Sequence, residues 1–186
     1  MSKVYDEIDE KLAAFIGKQK MFFVATAPLS GEGHVNVSPK GYDSFRILSP
    51  RRVAYVDLGG SGIETVAHVR ENGRITILFC AFEGPALILR LYGKASALQF
   101  NEPGFAAALA QFPGFDRARN IVFVDVERVA DSCGWGVPFY EFKSERAQLK
   151  RWVDDRTPDE WEERRFSSNA ESIDGLTGLV RSSASV

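Results

Sequence analysis

Cysteine is scarce in this chain: Cys80 and Cys133 are the only two in 186 residues, too few for a disulfide framework or a thiolate metal knuckle. Such usage fits reduced thiols and a cytoplasmic location. Histidine occurs only at His34 and His68, with no HxH or HExxH spacing, so no metal site is expected. No apolar run approaches the ~20 residues that span a bilayer. The N-terminus carries Tyr5, Asp6, Glu7, Asp9 and Glu10 where a secretory signal would be basic and then apolar. An excess of positive charge is also lacking, because 23 Lys and Arg face 25 Asp and Glu for a net charge of −2. Neither nucleic acid nor an anionic membrane is therefore an expected partner. There is no GxSxG elbow and no internal repeat.

What is present is an ordinary globular composition, 45% hydrophobic and 26% charged. At ~150 residues per domain, the length predicts one domain over 1–166, followed by a Ser-, Ala- and Gly-rich tail over 167–186. In the tail, Ile173, Leu176 and Leu179 offer docking points.

Periodicity orders the elements. Tyr5, Ile8, Leu12, Phe15 and Ile16 recur at helical spacing, with Ser2 as the expected N-cap and Gly17 as the stop. Residues 21–27 and 34–38 read as a β-hairpin around PLSGEG, with His34, Asn36 and Ser38 on a polar face and Val35 and Val37 on an apolar one. Strands are expected at 45–48 and 53–58. A short helix follows, opened by a Ser61–Glu64 capping box and closed at Asn72 and Gly73. Residues 74–82 and 86–99 form a second hairpin, 103–112 a helix, and 120–129 a further strand. Two amphipathic helices separated at Pro158 complete the chain. About six strands with few crossover helices favour an antiparallel barrel or meander over a parallel sheet.

The candidate chemistry is polar and basic rather than nucleophilic. GSGIET over 60–65 matches part of the dinucleotide fingerprint, but its third glycine and the surrounding βαβ context are missing. What remains is a helix start that suits an anion, with Ser61 and Thr65 as donors; a self-capped helix is the competing reading. Lys40 and Arg46 are candidate phosphate partners, with solvated surface charge as the alternative. Arg90 lies in the apolar run LILRLYG, where a dimer contact, a ligand phosphate or an internal ion pair would explain it. Trp135, between two glycines, fits a stacking wall, a core or an interface. Cys133 reads as structural, His34 as a candidate ligand contact and His68 as a packing or surface residue.

Taken in order, FFVATAPLSGEGHVNVSPKG, VAYVDLGGSGIETVAHVRENGRITILFCAF and ALILRLYGKA resemble the pyridoxamine 5′-phosphate oxidase-related flavin-binding proteins over residues 21–98, with weaker support through 129. SCGWGVPFYEF and SIDGLTGL resemble a bacterial branch of that family. The resemblance implies a mainly β fold, a six-stranded antiparallel split barrel of Greek-key type with flanking α-helices. It also implies a homodimer with two FMN sites at the subunit interface. By this carry-over Asn36, Val37, Ser38, Lys40, Asp57, Ser61 and Thr65 approach the cofactor, and Trp135 closes the site, from the partner subunit in one arrangement. The oxidase has an Arg-Lys pair where this chain has Glu64 and Thr65, so Lys40, Arg46 or Arg90 would supply the positive charge. The implied function is an FMN-dependent oxidoreductase acting on a small molecule. A nicotinamide is one possible donor, the acceptor is a small organic molecule or oxygen, and no catalytic side chain is required. Vitamin B6 oxidation is not specifically expected. The rivals are a non-catalytic flavin, deazaflavin or haem binding or sensing protein, and a structural dimer with an empty cleft.

Overall fold

A computed structural model describes residues 2–181. Eight strands and five helices follow one another as β1 (Val4–Tyr5), α1 (Glu10–Lys18), β2 (Phe22–Thr26), β3 (Asn36–Lys40), β4 (Phe45–Ser49), β5 (Arg52–Asp57), α2 (Glu64–Asn72), β6 (Arg74–Cys80), β7 (Ile88–Gln99), α3 (Phe105–Leu109), β8 (Asn120–Ser132), α4 (Gln148–Asp154) and α5 (Pro158–Asn169). All strand pairs are antiparallel, in the order β3-β2-β6-β7-β8-β5-β4, with β1 added against β8. The two ends of this path, β3 and β4, are joined by residues 41–44 alone and do not pair. So short a link forces the sheet to curl until its ends meet, which gives a barrel with one open seam. The expected split barrel is therefore present, with eight strands rather than six. The additional pairing comes from β1, too short to show a period, and from counting β4 and β5 separately.

Packing follows the alternation of side chains. The barrel interior holds Phe22, Val24, Tyr55, Ile77, Phe79, Leu89, Leu91 and Val124, closed at one side by Leu12 and Ile16 of α1. Phe22 meets Phe45 and Tyr55 edge-on, with ring centroids at 5.2 and 5.6 Å, a geometry that aligns ring edges with π faces. β5 is buried on both faces. Val53 and Tyr55 point inward, while Ala54 and Val56 pack under Phe105, Phe112 and Phe115 on the outside. Its continuous apolar run reflects this double covering.

Several boundaries differ from the sequence expectations. α1 starts at Glu10, capped by Asp9, whose Oδ1 accepts from the Leu12 amide at 2.8 Å. The chain before it is drawn into β1 because Asp131 holds the Lys3 amide at 2.7 Å and the Tyr5 hydroxyl at 2.5 Å. Gly17 lies inside α1 and Gln19 is its C-cap. The Ser61–Glu64 capping box does not form, since Ile63 occupies the N-cap without a side-chain bond. Gly73 does stop α2, at φ 71°, a left-handed conformation that glycine adopts without strain. The helix expected over 103–112 shortens to Phe105–Leu109. Pro158 begins α5 behind a genuine Thr157–Glu160 capping box. Beyond α5 the chain turns through a Glu171–Thr177 bridge and buries Leu179, while Ile173 stays exposed. Residues 182–186 of the predicted tail lie outside the described residues.

Candidate functional site

β3 presents Asn36, Ser38 and Lys40 toward the body of the protein and leaves Val35 and Val37, 72% and 61% exposed, facing solvent. The polar face expected from the alternation is thus the inner one, and β3 is an end of the sheet path. Asn36 donates through Nδ2 to Thr65 Oγ1 on α2 at 3.0 Å. The same Nδ2 lies 3.4 Å from Thr26 Oγ1, which in turn is 3.0 Å from His68 Nδ1. His68 is fully buried and its Nε2 has no partner. Burial pushes its pKa down, against the opposing fields of Asp174, Glu64 and Glu71, so the ring is held neutral. Between Asn36 and Lys40, the Ser38 hydroxyl is buried without a hydrogen-bond partner. A buried polar atom left unpaired is costly, and here it marks a place where a polar ligand atom would be accepted.

At the far end of the row, Lys40 Nζ lies 3.4 Å from Asp57 Oδ1. Asp57 Oδ2 accepts from Arg119 Nη2 at 2.8 Å and Nε at 3.2 Å. Burial alone would raise the Asp57 pKa. The Arg119 and Lys40 charges and the Arg119 hydrogen bonds outweigh it and hold the carboxyl well below the usual carboxylate range. Arg119 continues through Nη1 to Asn169 Oδ1 at 2.9 Å, and Asn169 Nδ2 donates to the Gly60 carbonyl at 3.1 Å. Two cations against one carboxylate leave this half-buried chain of contacts with one unit of positive charge. Gly59 is needed where the connection passes, because it adopts φ 106° and a Cβ there would stand 3.3 Å from Trp161.

The residues expected at a cofactor site separate into two sets. Asn36, Ser38, Lys40, Asp57 and Thr65 converge on the seam between β3, β5 and α2, and Ser61 lies in the neighbouring 58–63 connection. Val37 belongs to the same strand but points outward. Arg46, Arg90 and Trp135 are not brought in. Arg46 forks onto Asp43 at 2.7 and 2.8 Å and stacks near Phe112. Arg90 donates to Ser132 at 3.1 Å, and Trp135 is 86% exposed. Cys133 is exposed and Cys80 buried. The GSGIET segment opens α2 between antiparallel strands, so the parallel βαβ unit of a dinucleotide site is missing. Among the described residues no group of three or more His, Cys, Asp or Glu is placed to hold a metal. Sequence reasoning missed Arg119, Thr26 and Asn169. Arg119 sits in DRARN with no local pattern, and only the β5–β8 register sets it beside Asp57.

This arrangement has a known setting. Residues 8–133 match the pyridoxamine 5′-phosphate oxidase family. The Aspergillus flavus pyridoxamine 5′-phosphate oxidase family protein ustO is 36% identical over 192 residues, covering 94% of this chain and 77% of that one. The chain belongs to the pyridoxamine 5′-phosphate oxidase family. HupZ of Group A Streptococcus superposes with a TM-score of 0.53 at 26% identity, over 67% of this chain and 99% of that structure. A candidate pyridoxamine 5′-phosphate oxidase from Lactobacillus delbrueckii gives 0.50 at 15% identity, over 67% and 94%, and supports the fold alone. Within this family fold the β3 row and the start of α2 form the seam of the barrel. No helix among the described residues is long and apolar enough to cross a membrane.

Proposed function

We propose that the chain binds FMN at the β3–α2 seam and works as a flavin-dependent oxidoreductase. The observation that carries this reading is the row Asn36–Ser38–Lys40, with its orphaned Ser38 hydroxyl, set in a pyridoxamine 5′-phosphate oxidase fold. Asn36, Ser38 and Thr65 supply neutral hydrogen-bonding groups for a flavin ring and ribityl chain, and Lys40 with Arg119 supplies the positive balance for its phosphate. When bound, the flavin would itself carry the electrons. The chain's own residues bind and orient it and exclude water, and no side chain serves as a nucleophile. One feature limits the phosphate end: Glu64 replaces a basic residue of the oxidase and its carboxylate folds back over Gly62. Lys40 then bears more of the load than Arg46 or Arg90, which are bonded elsewhere.

The reading includes a homodimer. The cleft of about 1300 Å³ beside α1 and the cavity of about 240 Å³ beside α5 are lined by none of Asn36, Ser38 and Lys40, so a ring on the β3 row needs a second chain to enclose it. Exposed Val35 and Val37 on an end strand offer an apolar surface for that contact. A nicotinamide donor and a small organic acceptor or oxygen complete the proposed cycle. The test is titration of flavin-free protein with FMN, followed by anaerobic reduction and reoxidation. Stoichiometric FMN that cycles supports the oxidoreductase. Bound FMN that does not turn over with any donor and acceptor pair leaves a binding or sensing protein, and absence of binding removes the reading.

A further inference from the structure

A second polar cavity lies on the other side of the Asp57–Arg119–Asn169 chain. It measures about 240 Å³ and is lined by Gly60 and Ser61 of the 58–63 connection, Leu149 and Trp152 of α4, and Trp161, Arg164, Arg165, Ser168 and Asn169 of α5. Its wall holds two arginines and no carboxylate. Arg165 is 9% exposed, and among the described residues it forms no ion pair with Asp or Glu. Its Nη1 donates to the Ala118 carbonyl at 3.0 Å and its guanidinium lies 3.4 Å from the Phe100 ring centre, while Nε has no partner. Burial pulls its pKa down to about 10, with Glu162 opposing and Arg117 adding to the shift. The Ser61 and Ser168 side chains make no hydrogen bond among the described residues, and Arg164 is exposed at the rim.

A buried cation facing a cavity without a counter-ion is strongly unfavourable unless something compensates it. Stacking on Phe100 offsets part of the cost, but it leaves the Nε–H and the two hydroxyls unused. Those donors converge with two guanidinium groups in a space large enough for a tetrahedral oxyanion and too small for a flavin ring. We propose that this cavity binds a small oxyanion, phosphate or the phosphate group of a phosphate ester, with Arg165 and Arg164 as its charged partners and Ser61 and Ser168 as neutral donors. The site stands apart from the β3 row and does not depend on flavin binding there. The edge-on pair Trp152–Trp161, with centroids 5.1 Å apart, lines the same cavity, so occupancy should change tryptophan fluorescence.

The experiment is a titration of full-length protein with inorganic phosphate in chloride buffer at constant ionic strength, read by calorimetry and tryptophan fluorescence. The expected result is saturable binding of one phosphate per chain below about 10 mM, weakened roughly tenfold by Arg164→Gln and by Arg165→Met. Arg164 is exposed, so its variant should fold even if the Arg165 variant does not. Repeating the titration on FMN-saturated and riboflavin-saturated protein separates the two sources of the anion. Undiminished phosphate binding with FMN present means a free oxyanion, whereas loss with FMN but not riboflavin means the cavity takes the cofactor's own phosphate. No saturable phosphate signal in wild-type protein, or equal affinity in both variants, overturns the proposal and leaves Arg165 as a packing residue.

Discussion

Single residues at the seam carry opposed electrostatic demands, and Asp57 shows how they are balanced. Its carboxylate bridges Lys40 and Arg119, so removing its charge strands two cations that are largely shielded from water. Asp57→Asn should destabilise the protein by about 3–5 kcal/mol, measured by urea unfolding, as expected when one partner of a buried ion pair is removed. Because its pKa is lowered on folding, Asp57 contributes stability that is fully present above the unfolded carboxylate value of ~3.9 and is lost as pH falls below it toward the lowered folded value. The variant should lose the corresponding part of the slope of stability against pH in that acid window. An unchanged slope would show that Asp57 is not the bridging carboxylate. The pair is also the clearest limit of reading the sequence alone. Lys40 and Asp57 were visible as ends of strands, but Arg119 was not, because its role depends on a pairing between β5 and β8 more than 60 positions apart in the chain.

Elements were legible where local chemistry decides them. Asn72–Gly73 ends α2 as expected because the left-handed stop is a property of glycine itself. The start of α2 was not legible, since an SxxE match requires the chain to enter in cap geometry, and the connection from β5 instead places Ile63 at the cap. The one capping box observed in an N-terminal cap, at Thr157, falls where the sequence showed only a helix boundary. Thr157→Ala should cost about 1 kcal/mol in thermal or urea unfolding, while Ser61→Ala should cost almost nothing in the absence of ligand. A reversal of that order would mean that the cap of α2, not that of α5, holds its helix. β1 escaped notice because two residues carry no periodicity; Asp131 and the register on β8 specify it.

For the whole molecule, the alternating pattern was enough to indicate an antiparallel barrel, since few helices separate the strands. Closure could not be read from the pattern, because it follows from the four-residue link between the two ends of the sheet path. The homodimer proposal belongs to this scale. Val37 faces solvent on an end strand, so Val37→Glu should shift the sedimentation profile from dimer toward monomer and weaken FMN binding in parallel. A wild-type protein that sediments as a monomer at working concentration would remove the shared site. The central claim is flavin binding at the β3 row, and its most direct measurement is the visible spectrum of FMN-reconstituted wild-type and Lys40→Ala proteins after removal of free flavin. The account predicts a flavin spectrum near one FMN per wild-type chain and an affinity reduced about tenfold or more in the variant, as for loss of a charge-assisted contact. A colourless wild-type protein, or equal FMN retention by both proteins, would contradict it.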